Sequence, residues 1–324
     1  MRRLFTAMLT GLALAGLSSG VAAQNWDMPL PYPDGNFHTK NVRAFTDEVK
    51  QLSGGKLNIT VHSGASLFKM PEIKRAVRTG QAQIGEILLS AYGNENPVFE
   101  ADGIPFLAVG YDNAWKLYQA QKPVLEKLLA TEGLMLLYAG PWPGQGLYTQ
   151  EEVSSLDAMN GVKFRAYNAA TSRLAELMGA VPTTVQYAEV PQAFSTGLVS
   201  AMLTSGATGV DTKAWDFVKV FYQTDAMHPK NIVFVNQRAF DGLDKASQDA
   251  LLKAAAAAEK RIWEISQQEA ESSVKALADN GMKVLMPGDT LSVELQAIGD
   301  KMVEEWLDKA GADGKAIADA YNKM

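Results

Sequence analysis

The sequence predicts an α/β protein of two lobes with one long helix spanning both. Three features carry this expectation. Strand-like segments alternate with helical ones in each half of the chain, the pattern of helices packed on a mostly parallel sheet. A length of 324 residues suits about two domains. Residues 247–280 contain no proline and read as one helix of about 50 Å, longer than a lobe of this size is wide. Two helices meeting at a hidden kink are the alternative.

The elements follow in order. A strand near 26–31 leads to a helix over about 37–53, stopped by Gly54 and Gly55. LNITVHS alternates and is β-branched, so it is a strand. Residues 71–79 make a short amphipathic helix ended by Gly80, and QIGEILLS is a buried strand. A helix over 112–132 precedes the strand GLMLLYAG. The second unit starts near Gly140. There GVKFRAY is a strand, 169–178 a helix, VPTTVQ a strand and 190–195 a short helix. AMLTS and NIVFVNQRAF are further strands, and Asp244 and Ser247 are candidate caps of the long helix. Residues 24–142 with about 231–270 would form lobe I, and 143–230 with about 271–324 lobe II.

The N-terminus reads as an export signal over 1–23. Arg2 and Arg3 lead an apolar run, LFTAMLTGLALAGL, and Val21-Ala22-Ala23 is a small-residue cleavage site. The run is short for a membrane span, and a retained anchor is the alternative. Removing the two arginines takes 30 basic residues to 28 against 36 acidic ones, a net charge of −8. That balance favours solubility and argues against a nucleic-acid partner. There is no cysteine, so neither disulfides nor thiolate chemistry contribute.

Catalytic and metal signatures are missing. His38, His62 and His228 are far apart and lack metal-ligand spacing. No Gly-x-Ser-x-Gly elbow or Walker lysine loop occurs, and the Gly-x-Gly of GPWPGQGLY suits a tight turn better than a phosphate cradle. The pairs Glu151-Glu152 and Glu304-Glu305 read as solvated. No cofactor and no metal are expected.

One residue does point to a ligand. Arg165 stands near the end of an apolar strand, four residues after Gly161, with Asn168 three residues further on. A buried guanidinium is costly without an anion, and its planar fork matches a carboxylate two bonds at a time. This pattern suggests a receptor for a small organic acid. An internal ion pair holding the strand is the alternative.

Several segments resemble one family in order and near spacing. They are Gly54-Gly55-Lys56-Leu57, AVRTGQAQIGEI, Ile104-Pro105-Phe106-Leu107, MNGVKFRAYNAAT, MGAVPTTVQYAEV, the long helix and a final GMKV strand. Together they resemble the DctP-type solute-binding proteins of tripartite ATP-independent periplasmic (TRAP) transporters, across the whole mature chain. The resemblance implies a periplasmic binding protein fold with a ligand cleft between the lobes. It also implies no chemistry of the protein's own, and delivery of the solute to small and large membrane permease subunits. Arg165 would pair with the ligand carboxylate, Asn168 would support it or touch the ligand, and Tyr187 would pack on the solute.

Departures from the family bear on the substrate. Thr204 stands at a solute-bonding asparagine position, Gln145 where some relatives have a second arginine, and Leu88 where they have a ligand-binding glutamate. Tyr32, Trp142, Tyr187 and Trp215 are candidate aromatic walls, with ordinary core packing as the alternative for each. The expected ligand is therefore a monocarboxylate, of aromatic, branched or 2-oxo type, rather than a dicarboxylate or sugar acid. The other function classes are an exported two-lobed enzyme such as a hydrolase, and a solute-sensing module for a membrane receptor.

Overall fold

The protein is seen as a computed structural model that describes residues 23–324. The expected export signal, apart from Ala23, lies outside the described residues. No helix among them is long and apolar enough to cross a membrane.

Lobe I opens with β1 (Gln24–Pro29), α1 (Phe37–Leu52) and β2 (Leu57–His62), the two strands pairing in parallel. Asn36 caps α1 by accepting from the His38 amide, and Gly54 and Gly55 take positive φ just past its end, a conformation that glycine adopts without strain. Next come α2 (Met70–Arg78), β3 (Ile84–Leu88), α3 (Tyr111–Thr131) and β4 (Leu134–Pro141).

The chain then crosses to lobe II. There it forms β5 (Gln145–Thr149), β6 (Lys163–Ala166), α4 (Ala169–Leu177), β7 (Val181–Thr184), α5 (Val190–Ser195), β8 (Ala201–Ser205), α6 (Gly206–Asp211) and β9 (Val220–Tyr222). It returns to lobe I through β10 (Lys230–Asn236) and the short α7 (Gln237–Asp241). The sequence suggests a strand for 237–240. Helix wins there because the Asn236 side chain accepts from the Ala239 amide and caps a new turn.

The helix α8 (Lys245–Asp279) is unbroken over 35 residues, about 52 Å at 1.5 Å per residue. Its cap is Asp244, which accepts from the Ser247 amide at 2.7 Å. It packs on α1 and β4 of lobe I and on α6 of lobe II. Beyond it, β11 (Lys283–Leu285) pairs with β9, and α9 (Asp289–Tyr321) bends at Gly311. Leu291, Leu295, Met302 and Trp306 of α9 join Leu117 of α3 to Phe164 and Leu174 of lobe II in one apolar cluster.

The sheets are mixed rather than mostly parallel. β10 runs antiparallel to both β3 and β4, and β5 antiparallel to both β8 and β9. The cause is the double crossing between lobes. β4–β5 leaves lobe I beside the returning β9–β10, and the two segments form one antiparallel ribbon through both sheets. Within the crossing, the Trp142 amide bonds the Pro229 carbonyl at 2.8 Å and the Gln145 amide bonds the Met227 carbonyl at 3.0 Å. A chain that returns beside its own exit strand must pair with it antiparallel.

Candidate binding site

The ribbon, the end of β6 and the start of α6 converge on one cavity between the lobes. The empty space it holds, counting the open solvent at its mouth, is about 370 Å³. Seven of the residues singled out in the sequence line it: Tyr32, Leu88, Trp142, Gln145, Arg165, Tyr187 and Thr204.

Arg165 is the only charged side chain of the lining. It is 3% exposed. Its Nε donates to the Val185 carbonyl at 3.0 Å, which fixes the side chain and leaves the two terminal nitrogens for another acceptor. Its guanidinium carbon lies 4.9 Å from the centre of the Tyr167 ring. Among the described residues no carboxylate forms an ion pair with it, and its titratable neighbours are Tyr167, Tyr187 and Tyr32. Burial without such a partner pushes the guanidinium down to about 10. The internal ion pair weighed above is therefore not the arrangement found.

The walls are aromatic and rigid. Tyr32 stands edge-on to Trp142, with ring centres 5.0 Å apart, and edge-on to Tyr187 at the same distance. The Tyr32 hydroxyl and the Trp142 indole both donate to Oδ1 of Asn231, at 3.1 and 2.9 Å. Burial raises the hydroxyls of Tyr32, Tyr167 and Tyr187 well above their ordinary range, so all three stay neutral. The Tyr167 hydroxyl donates to Oε1 of Gln145 at 3.3 Å, while Nε2 of Gln145 donates to the Pro143 carbonyl. Leu88, Met70 and Pro229 complete the apolar side.

Two expected residues lie elsewhere. Asn168 is buried but off the cavity, because it is the N-cap of α4. Its Oδ1 accepts from the Thr171 amide at 2.8 Å, and its Nδ2 donates across the lobes to Ser90 Oγ at 2.9 Å. Trp215 sits in the turn before β9 and packs on the apolar cluster of Val210, Val218 and Phe221, away from the cavity. The lining also contains Met70, Tyr167, Thr208 and Pro229, which the sequence does not single out. Tyr167 had a usable signal: it is two residues beyond Arg165 on an extended segment, hence on the same face. Met70 and Pro229 had none, since only the fold brings them to the cleft.

Residues 32–309 match the family model of the bacterial extracellular solute-binding proteins, family 7 (DctP). The chain belongs to this family. Among solved structures, DctP6 of Bordetella pertussis, an extracytoplasmic solute receptor binding pyroglutamic acid, is 52% identical. It superposes with a TM-score of 0.92, over 93% of this chain and 100% of its own. DctP7 of the same organism, also described as binding pyroglutamic acid, is 49% identical, with a TM-score of 0.91 and coverage of 93% and 100%. A TRAP solute-binding protein from a marine metagenome, described as specific for pyroglutamate, is 44% identical, with a TM-score of 0.92 and coverage of 94% and 100%. As a DctP-family TRAP receptor, the chain has the two-lobed periplasmic binding fold.

Proposed function

We propose that this TRAP receptor captures a small cyclic monocarboxylate of the pyroglutamate type in the periplasm and hands it to the small and large permease subunits without altering it. One observation carries the choice of a single acid: a buried arginine with no acidic partner faces a small cavity whose other lining groups are neutral. The ligand carboxylate would accept from the two terminal nitrogens of Arg165. The ring would lie against Leu88, Tyr32 and Trp142. Thr204, Gln145, Tyr167 and Thr208 are the polar groups within the lining for a lactam N–H and carbonyl. Three relatives at 44–52% identity are described as binding pyroglutamate, which supports that ligand.

The same lining argues against neighbouring compounds. A second carboxylate would enter without a second cation, and an ammonium group would enter without any anion. An unpaired buried charge is costly. L-Pyroglutamate should therefore raise the melting temperature more than succinate, malate, glucuronate or L-glutamate does, through preferential binding to the native state. Mass spectrometry of the co-purified solute, followed by calorimetry, checks the assignment. A panel led by a dicarboxylate, a sugar acid or glutamate would overturn the ligand choice.

A further inference from the structure

At the mouth of the cavity one carboxylate bridges the lobes. Asp211 is the last residue of α6 in lobe II and is exposed. Its Oδ2 accepts from two donors, the Tyr187 hydroxyl of lobe II and Nδ2 of Asn36 in lobe I, the latter at 2.8 Å. Asn36 is only 1% exposed, and its Oδ1 is committed to capping α1 through the His38 amide at 2.9 Å. Its amide is thus held in one orientation with the N–H₂ aimed out of lobe I. Tyr187 lines the cavity and meets Tyr32 of lobe I edge-on.

We propose that Asp211 is a latch that couples closure of the lobes to the position of the Tyr187 wall, a role that rests on the site proposed above. Separating the lobes parts Asn36 from Asp211. Closing them restores a hydrogen bond to an ionised acceptor, which is stronger than a neutral one. The same oxygen then fixes the Tyr187 hydroxyl, so the closed state and the finished wall form together. Such a device acts on ligand escape more than on ligand entry, because the latch exists only after the lobes have met.

The test is stopped-flow tryptophan fluorescence with L-pyroglutamate on the full mature chain, for N36A, D211A, their double variant and D211N. We expect N36A and D211A each to raise the dissociation rate about ten-fold or more. The association rate should stay within about two-fold. The double variant should be no worse than D211A alone, because both substitutions remove one shared bond. D211N keeps an oxygen acceptor without the charge and should fall between wild type and D211A. The ligand-free melting temperature of D211A should hardly move, which a merely structural role would not allow; N36A also loses the α1 cap and should melt lower for that reason alone. Dissociation rates unchanged in both single variants, or fully additive effects, would overturn the latch. R165A separates this from the site itself: if R165A loses binding while N36A and D211A release at the wild-type rate, the site stands and the latch falls.

Discussion

Arg165 is buried beside three neutral phenols and no carboxylate, so the ligand is the natural counter-charge. Removing one partner of a desolvated charge pair costs roughly 2–5 kcal/mol. R165A should therefore bind at least about thirty-fold more weakly by calorimetry while keeping its fold by circular dichroism. Unchanged affinity in a folded variant would make the arginine structural. The pH dependence has a definite sign. With the guanidinium lowered to about 10, the site is cationic throughout the neutral range. Affinity should be level from about pH 6 to 8 and decline as pH passes about 10, where the ligand-free site loses its proton. Stability runs the other way for this group. Its charge is a cost below about pH 10, relieved as pH rises further toward the ordinary value of a free guanidinium. A titration by calorimetry showing a decline centred near neutrality would point to another group.

Asn168 shows how a residue at a family position can have a structural task. Both ends of its amide are engaged, one on the α4 cap and one on Ser90 of the opposite lobe.

At the scale of elements, the crossing ribbon sets the site because it carries Trp142 and Gln145 and ends beside Pro229. The strands approach too closely there for any side chain at Gly146. A Cβ at that position would lie 2.2 Å from the Phe221 ring and 2.4 Å from the Tyr222 carbonyl. The carbonyl belongs to β9 and has little room to give. G146A should destabilise the chain by about 1–3 kcal/mol in urea unfolding, the usual cost of overpacking. A change below about 0.5 kcal/mol, the range of neutral surface substitutions, would show that the ribbon relaxes freely. A second strained point lies nearby. Phe106 has φ of +61° and its amide bonds the Ala226 carbonyl of the return crossing at 2.6 Å. A bulky residue at positive φ is costly and persists only where its surroundings impose it.

For the whole molecule, the links between the lobes include the ribbon, α8, the apolar cluster under α9 and the side-chain bridges Asn36–Asp211 and Asn168–Ser90. The covalent connections permit a hinge, whereas the bridges are side-chain contacts that a separation of the lobes would break. Saturating L-pyroglutamate should therefore shrink the radius of gyration in small-angle scattering, as the ligand shifts the population toward the closed state. Identical profiles with and without a tightly bound ligand would indicate a rigid pocket.

The sequence by itself determined the periodic elements, the family and the cation. Local pattern suffices for these: α1 ends just before the Gly54-Gly55 stop and α5 spans the expected 190–195, and an arginine in an apolar strand calls for an anion whatever surrounds it. It also determined that α8 has no breaker and outreaches one lobe, and the helix does pack on both lobes as expected. Only the tertiary structure decided which strands run antiparallel, that 237–240 turns helical and that Trp215 faces a core. The same holds for the pairing of Asn36 with Asp211 across 175 residues of chain. The physical reason is separation. Caps and periodicity act over a few residues, whereas strand direction and interlobe bonds depend on where distant segments return.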